Sequence, residues 1–304
     1  GGLYTCGSAD GLRWRLLEDA PVITEGAFDS QNLAFWDSER GRYVDFHRGF
    51  RDGVRDIMTT TSPDFLHWEE PAWLDWGDAT PEHLYTNAVA AYPRAPHIFL
   101  GFPKRFVPGR TAVAHPYPGV SDTVFMTSRD GLRWHRWPEA FVRPGLMPER
   151  WVNRNNMTAW GIVDTAANHP SLPDELSLYV SEGYYSGEDC RLRRHTLRQD
   201  GFVSAHADAS GGEFVTRPLT FAGGQLRMNY ATSAAGSIRV EIQDAAGDPI
   251  AGFAMDDCAD TYGDVLDGAI RWANGADVSS LAGSVVRLRV RLADADIYAL
   301  RFTD

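Results

Sequence analysis

Between residues 286 and 292 apolar and charged positions alternate strictly. Val286, Leu288, Val290 and Leu292 share one parity and Arg287, Arg289 and Arg291 the other, the period-two pattern of a strand with one buried and one solvated face. Ile238, Val240 and Ile242 alternate likewise, and 225–230, 269–272 and 297–302 read as further strands. Together they predict a β-sandwich domain over 203–304, close to the ~100 residues such a domain needs. Upstream the apolar runs are shorter and more aromatic. The runs 28–37 and 42–47 flank the turn cluster Ser38-Glu39-Arg40-Gly41 and predict a hairpin, with 55–60 as a third strand and 69–73 as a fourth. A second unit repeats the plan over 84–92, 97–102 and 123–127, with a Pro- and Gly-rich insertion, and another begins near Asn153 with strands at 157–163, 175–181 and 190–197. Four antiparallel strands per unit is the signature of a propeller blade. No stretch carries a long helical period, so the expected fold is all-β, a β-propeller over 1–202 followed by a β-sandwich over 203–304.

An internal repeat fixes the phase of these blades. Ser8-Ala9-Asp10-Gly11-Leu12-Arg13-Trp14, Ser62-Pro63-Asp64-Phe65-Leu66-His67-Trp68 and Ser128-Arg129-Asp130-Gly131-Leu132-Arg133-Trp134 share the pattern Ser-x-Asp-[Gly/Phe]-Leu-x-Trp, and such self-similarity marks repeat architectures. Asp200-Gly201-Phe202 reads as a decayed fourth copy. Each Asp can accept from backbone amides just ahead of it while the next residue takes a positive φ, so the chain reverses after a third strand. Asp10, Asp64 and Asp130 are therefore turn formers on the outer side of the blades.

Composition narrows the function classes. The net charge of −12 argues against a nucleic-acid partner, which needs a basic face. No apolar run approaches the ~18 residues of a membrane span, and no N-terminal signal is visible. Cys6, Cys190 and Cys258 are odd in number and widely spaced. They predict buried free thiols rather than disulfides or zinc, and they slightly favour a cytoplasmic location.

The Trp-rich blades, the C-terminal sandwich and three short segments, Asp29-Ser30-Gln31-Asn32, Phe102-Pro103-Lys104-Arg105-Phe106 and Arg154-Asn155-Asn156, resemble five-bladed glycoside hydrolases of the invertase, levanase and arabinanase kind, and more closely their uncharacterised bacterial relatives. The resemblance implies glycosidic-bond cleavage in an oligo- or polysaccharide at the propeller axis. It also implies five blades, against three plus part of another counted here. The expectation is an N-terminally incomplete propeller whose open edge is completed upstream or by a second copy of the chain.

Polar residues just before each inner strand converge on the axis of a propeller. Gln31 and Asn32, Tyr85 and Asn87, and Arg154, Asn155 and Asn156 stand at that phase and are expected to bind substrate, because sugar hydroxyls are held by amides, carboxylates and Arg over aromatic rings. His47, Arg48, Lys104 and Arg105 end second strands and suit a substrate carboxylate or sulfate. Glycoside hydrolysis generally uses two carboxyl groups. Asp29 is the first choice. Glu182, in Tyr179-Val180-Ser181-Glu182-Gly183-Tyr184-Tyr185, is the expected acid, its pKa raised by desolvation, with Glu82 the alternative. Asp56 reads as the partner of Arg55 in an ion pair within the blade. His83, His97 and His115 lack metal-ligand spacing. No cofactor or catalytic metal is expected, and a structural calcium or sodium near the axis remains compatible with the sequence. The competing readings are a non-catalytic carbohydrate-binding propeller and, less favoured, a sialidase-like one. The repeated turn departs from the Asp-box Ser-x-Asp-x-Gly-x-x-Trp of the latter because Gly follows Asp directly.

Overall fold

The computed structural model describes residues 1–184 and 190–304. The chain divides into two compact units, Gly1–Thr165 with Leu176–Thr196, and Ala166–Glu175 with Leu197–Asp304. Both are β-structured. Among the described residues helix is confined to three short 3-10 turns, and no helix is long and apolar enough to cross a membrane.

The first unit carries propeller-type blades. Strands β1 (Cys6–Gly7) and β2 (Arg15–Leu16) pair as a short hairpin. Strands β3 (Leu33–Asp37), β4 (Arg42–Arg51), β5 (Val54–Ser62) and β6 (Ala72–Trp73) form a four-stranded antiparallel meander in chain order. The next sheet comprises β7 (His83–Leu84), β8 (Ala90–Tyr92), β9 (Ala95–Gly101), β10 (Lys104–Val107), β11 (Val120–Ser128) and β12 (Trp134–Val142). It is the same meander with its two inner strands broken, because β9 and β10 both pair with β11 in one register, Gly101 opposite Met126 and Lys104 opposite Thr123. Strands β13 (Val163–Thr165), β14 (Glu175–Glu182) and β15 (Arg191–Leu197) make a third sheet. Val44, Phe46, Ile57, Val89, Phe99, Val124, Met126 and Trp134 form one buried cluster between the four-stranded meander and the six-stranded sheet. Burying each such side chain stabilises the fold by roughly 1.5–3 kcal/mol.

All three copies of the repeat close the same way. The Ser Oγ accepts from the backbone N–H three residues on, at 2.8 Å for Ser8, 2.9 Å for Ser62 and 2.9 Å for Ser128. The Asp Oδ1 accepts from the amide three residues ahead of it, at 2.8, 2.8 and 2.7 Å. The Trp indole N–H then donates back to the carbonyl of Gly11, Phe65 or Gly131. These bonds to the ionised carboxyl hold the pKa values of Asp10 and Asp64 below the ordinary carboxylate value, and that of Asp130 as well despite opposing burial. Phe65 sits at φ 70°, where the other copies have glycine. Its ring packs on Tyr43 and Trp68, at 5.0 and 5.6 Å, which offsets the ~1 kcal/mol cost of a left-handed non-glycine residue.

The second unit is built on two long strands, β18 (Gln225–Asp244) and β20 (Val286–Thr303), flanked by β16 (Ala205–Ala207), β17 (Gly212–Val215) and β19 (Asp264–Ala269). The segments 225–230 and 238–242, which read as separate strands, belong to one strand whose register shifts between Thr232 and Ser237. Leu226, Met228, Ile238, Val240, Leu288, Val290 and Ile297 nevertheless enter one core. The two halves of each long strand thus belong to one sheet, interrupted by this irregularity.

The thiol expectation is corrected. Cys6 and Cys190 are exposed and only Cys258 is buried, all three free. Periodicity places a strand but does not say whether it has a covering layer.

The repeated Trp yields a direct comparison. Trp134 is 5% exposed and Trp14 63%, although both make the same turn bond. Trp134→Ala is expected to lower unfolding free energy by about 3–5 kcal/mol, and Trp14→Ala by less than about 0.5 kcal/mol, measured by urea titration. Equal losses would show that the turn, not burial between sheets, is what the Trp supplies.

Candidate functional site

The inner strand of the six-stranded sheet is interrupted at the site. In the ladder with β11, β10 follows β9 without slipping, and Pro103 between them faces β11, its carbonyl accepting from Val124 N–H at 3.1 Å. On the opposite edge the inner strand leaves the ladder between β7 and β8. Tyr85 N–H still donates to Lys104 O at 2.8 Å and Phe102 N–H to Asn87 O at 3.0 Å, while Lys104 N–H turns to the Thr86 hydroxyl at 3.1 Å. The arch 85–88 is held from the neighbouring blade by Gln31, whose Oε1 accepts from Asn87 N–H (3.1 Å) and Ala88 N–H (2.7 Å). Ala88 sits at φ 43°, a strained setting worth roughly 1–3 kcal/mol that persists because these bonds over-determine it.

Beside the arch lies a cavity of about 400 Å³ lined by Asp29, Ser30, Gln31, Tyr85, Thr86, Lys104, Arg154, Thr158, Ser181 and Tyr184. It brings together five of the residues expected from sequence, Asp29, Gln31, Tyr85, Lys104 and Arg154, contributed by three successive blade openings. Asp29 projects with its side chain 77% exposed and pairs with buried Arg48. It is therefore not the unpaired carboxylate that its position suggested. The Arg48 guanidinium lies 4.7 Å from the centroid of the Tyr85 ring, and the Lys104 ammonium 4.2 Å from the same centroid, both within cation–π range. Lys104 is 1% exposed and donates to Asn153 Oδ1 at 3.3 Å. Burial, and then the positive charges of Arg154, Arg55 and Arg48, pull its pKa down to about 7.

The other expected residues lie elsewhere, and their placement corrects the roles first given them. Asn32 donates to the carbonyls of Phe28 and Ser30 and shapes a turn. Asn87 donates to Phe46 O, Asn155 bonds Tyr184 N–H and C=O, and Asn156 donates to Ser121 O and Arg150 O. Asn87, Asn155 and Asn156 are buried, so they scaffold the pocket instead of touching its contents. His47 is buried between Asp45 and the carbonyl of Glu25. Arg105, one residue after Lys104, points to the opposite face, where it holds Asp122 through two bonds and reaches Glu82 at 3.2 Å. Glu82, paired also with Arg136, lines a separate cavity of about 110 Å³ with Asp56 and Trp76. Asp56 pairs with Arg51 rather than Arg55.

Glu182 shows the largest difference from expectation. It is fully buried, with Arg193 at 2.7 Å and Arg150 and Arg191 at 3.2 Å. Burial pushes its pKa up, but the bond to Arg193 and the charges of Arg150, Arg193 and Arg191 more than offset it, so the carboxyl sits below its ordinary value. A proton donor needs the reverse. Tyr185, beside it in the aromatic run, lies outside the described residues. Among the described residues no cluster of His, Cys, Asp and Glu is arranged to hold a metal ion. Thr86, Thr158 and Ser181 line the pocket but were not picked out from sequence, because a lone hydroxyl has no pattern. Arg55 carried a readable signal, a charge at an apolar strand's start, but was assigned to Asp56.

Two measurements test this electrostatic account. Between pH 7 and about 10.5, the ordinary lysine value, the unfolded chain holds the Lys104 proton and the folded chain does not. Stability from this group therefore rises with pH across that window, and the full penalty applies below it. Lys104→Met should flatten the rise in urea midpoint and be more stable than the parent at pH 6; an unchanged slope would remove Lys104 as its source. Glu182→Gln takes the carboxylate from buried Arg150, while Arg191 keeps Glu149 at 3.7 Å, and is expected to cost about 3–5 kcal/mol in the same assay, whereas a solvent-facing acid would cost almost nothing.

No protein-family model matches the chain, and no curated protein matches it. Among solved structures it is similar to an N-acetylgalactosamine deacetylase from F. plautii in complex with blood group B trisaccharide, 12% identical over 53% of this chain and 42% of that one, TM-score 0.38. It is also similar to the Bombyx mori GH32 beta-fructofuranosidase BmSUC1, 10% identical over 98% of this chain and 72% of that one, TM-score 0.38. A third is an exo-beta-1,3-galactanase from Phanerochaete chrysosporium, 9% identical over 96% and 87%, TM-score 0.24. The chain spans about half the length of the first solved structures it matches, 42% and 52%.

Proposed function

We propose that the first unit binds a carbohydrate in the Asp29–Tyr85 pocket and that the chain hydrolyses a glycosidic bond there, with Asp29 at the reacting centre. The observation that carries this reading is the convergence of three blade openings on one cavity, where an exposed carboxylate stands beside an aromatic ring among amide and hydroxyl groups. An apolar face with a few convergent polar groups is what a sugar ring requires. Asp29, ion-paired with Arg48, is suited to attack an anomeric carbon or to orient a water toward it.

One observation favours a second reading, sugar binding without turnover. Neither Glu182 nor Glu82 lines this cavity, and each is held by arginines, so neither supplies the proton-donating partner that paired-carboxyl hydrolysis uses.

Asp29→Asn separates the two readings. On a panel of aryl glycosides and oligosaccharides, the enzyme reading expects activity in the parent and a loss of kcat/KM of about 10²–10⁴ in the variant. Glycan binding by the parent with no product from any member supports the second reading. Full activity in Asp29→Asn sinks the assignment of the site.

A further inference from the structure

The charge around Tyr85 is unbalanced. Arg48, Arg55 and Lys104 lie with their cationic centres 4.7, 5.5 and 4.2 Å from its ring centroid, and Arg154 lines the same cavity. Against Arg48, Arg55 and Lys104 the cavity wall presents one carboxylate among the described residues, Asp29, and it is engaged by Arg48. Among the described residues neither Arg55 nor Lys104 has a carboxylate within ion-pair distance, and the Nε atoms of Arg48 and Arg55 are buried without a hydrogen-bond partner. The concentration of positive charge occurs in a chain of net charge −12.

Such an arrangement is costly for the empty fold. Like charges brought together in a partly desolvated site repel, and a buried donor without a partner forfeits the hydrogen bond it made in water. Elsewhere among the described residues buried cations are balanced. Arg150 meets Glu182, and Arg105 and Arg136 meet Asp122 and Glu82. The Tyr85 cluster is the exception, and it is the one that opens on the candidate site.

We infer that the pocket takes a sugar bearing an oxyanion, a uronate carboxylate or a sulfate ester, seated against Lys104 in the field of Arg48 and Arg55. The inference rests on the carbohydrate reading of the site and adds the chemical class of its ligand. The Tyr85 ring supplies the apolar platform for the sugar, while the cations behind it neutralise the substituent.

The test is calorimetric titration of the whole chain at low ionic strength and pH 6, below the Lys104 value of about 7, with matched ligands. These are galacturonate and galactose oligomers of equal length, galactose oligomers with and without a sulfate ester, and inorganic sulfate. At least one charged oligomer is expected to bind about tenfold or more tightly than its neutral counterpart, the worth of one charge-assisted hydrogen bond, and which of the two does so distinguishes carboxylate from sulfate ester. The preference should shrink as salt is raised and fall below about threefold in Lys104→Gln and Arg55→Gln, with a cooperative urea transition as the check that each variant is folded. If a variant does not fold, the salt dependence in the parent decides. Equal, salt-independent affinity for neutral and charged oligomers overturns this inference and leaves the carbohydrate reading standing. Inorganic sulfate bound as tightly as the sulfated oligomer, with no neutral sugar bound, overturns the carbohydrate reading instead.

Discussion

Neighbouring sheets of the first unit are joined by side-chain amides that satisfy another segment's backbone. Gln31 caps the arch at Asn87 and Ala88, Asn87 reaches back to Phe46, and Asn156 ties Ser121 to Arg150. Inner segments that leave a ladder must find partners for their N–H and C=O groups, and a buried orphan costs about as much as any single contact contributes. These amides remove that cost while holding the segments in non-ladder conformations, including positive φ at Ala88, Arg154 and Asn156. The cavity exists because the backbone has been released there and then pinned.

Charge is distributed in keeping with that arrangement. Where arginines serve packing they are matched to carboxylates, as around Glu182 and Glu82, and such sites are closed electrostatically before any ligand arrives. Around Tyr85 the matching is incomplete, so a charged molecule has something to gain there and little to gain elsewhere. Lys104 registers the imbalance most directly, since its ammonium is at once buried and surrounded by guanidinium groups.

Blade phase was legible in the sequence because the Ser, Asp and Trp of the repeated turn make local hydrogen bonds that no other residue types make as well. From that phase Asp29, Gln31, Tyr85, Lys104 and Arg154 could be named, and the structure gathers them around one cavity. Alternation could not tell a residue that borders a cavity from one that ties two sheets together. Asn87, Asn155 and Asn156 have the composition of a sugar site and the environment of a core. Glu182 misled for a related reason. Its apolar strand signalled burial correctly, but Arg150, Arg191 and Arg193 approach from distant positions, and their charges reverse the effect of burial on its pKa. In the second unit the alternating residues were read accurately while the bend joining them was invisible, because Ser233 to Gly236 look like an ordinary turn.

Asn87 bears on how such a site can diversify. The arch beside β10 is tied down by this buried amide, bonded to Phe46 O, and not by the charged side chains that border the cavity. Shape and chemistry are therefore encoded at different positions. Replacing Lys104, Arg154 or Tyr85 alters what the cavity prefers while its frame stays put, and relatives sharing the frame are free to drift in specificity one residue at a time.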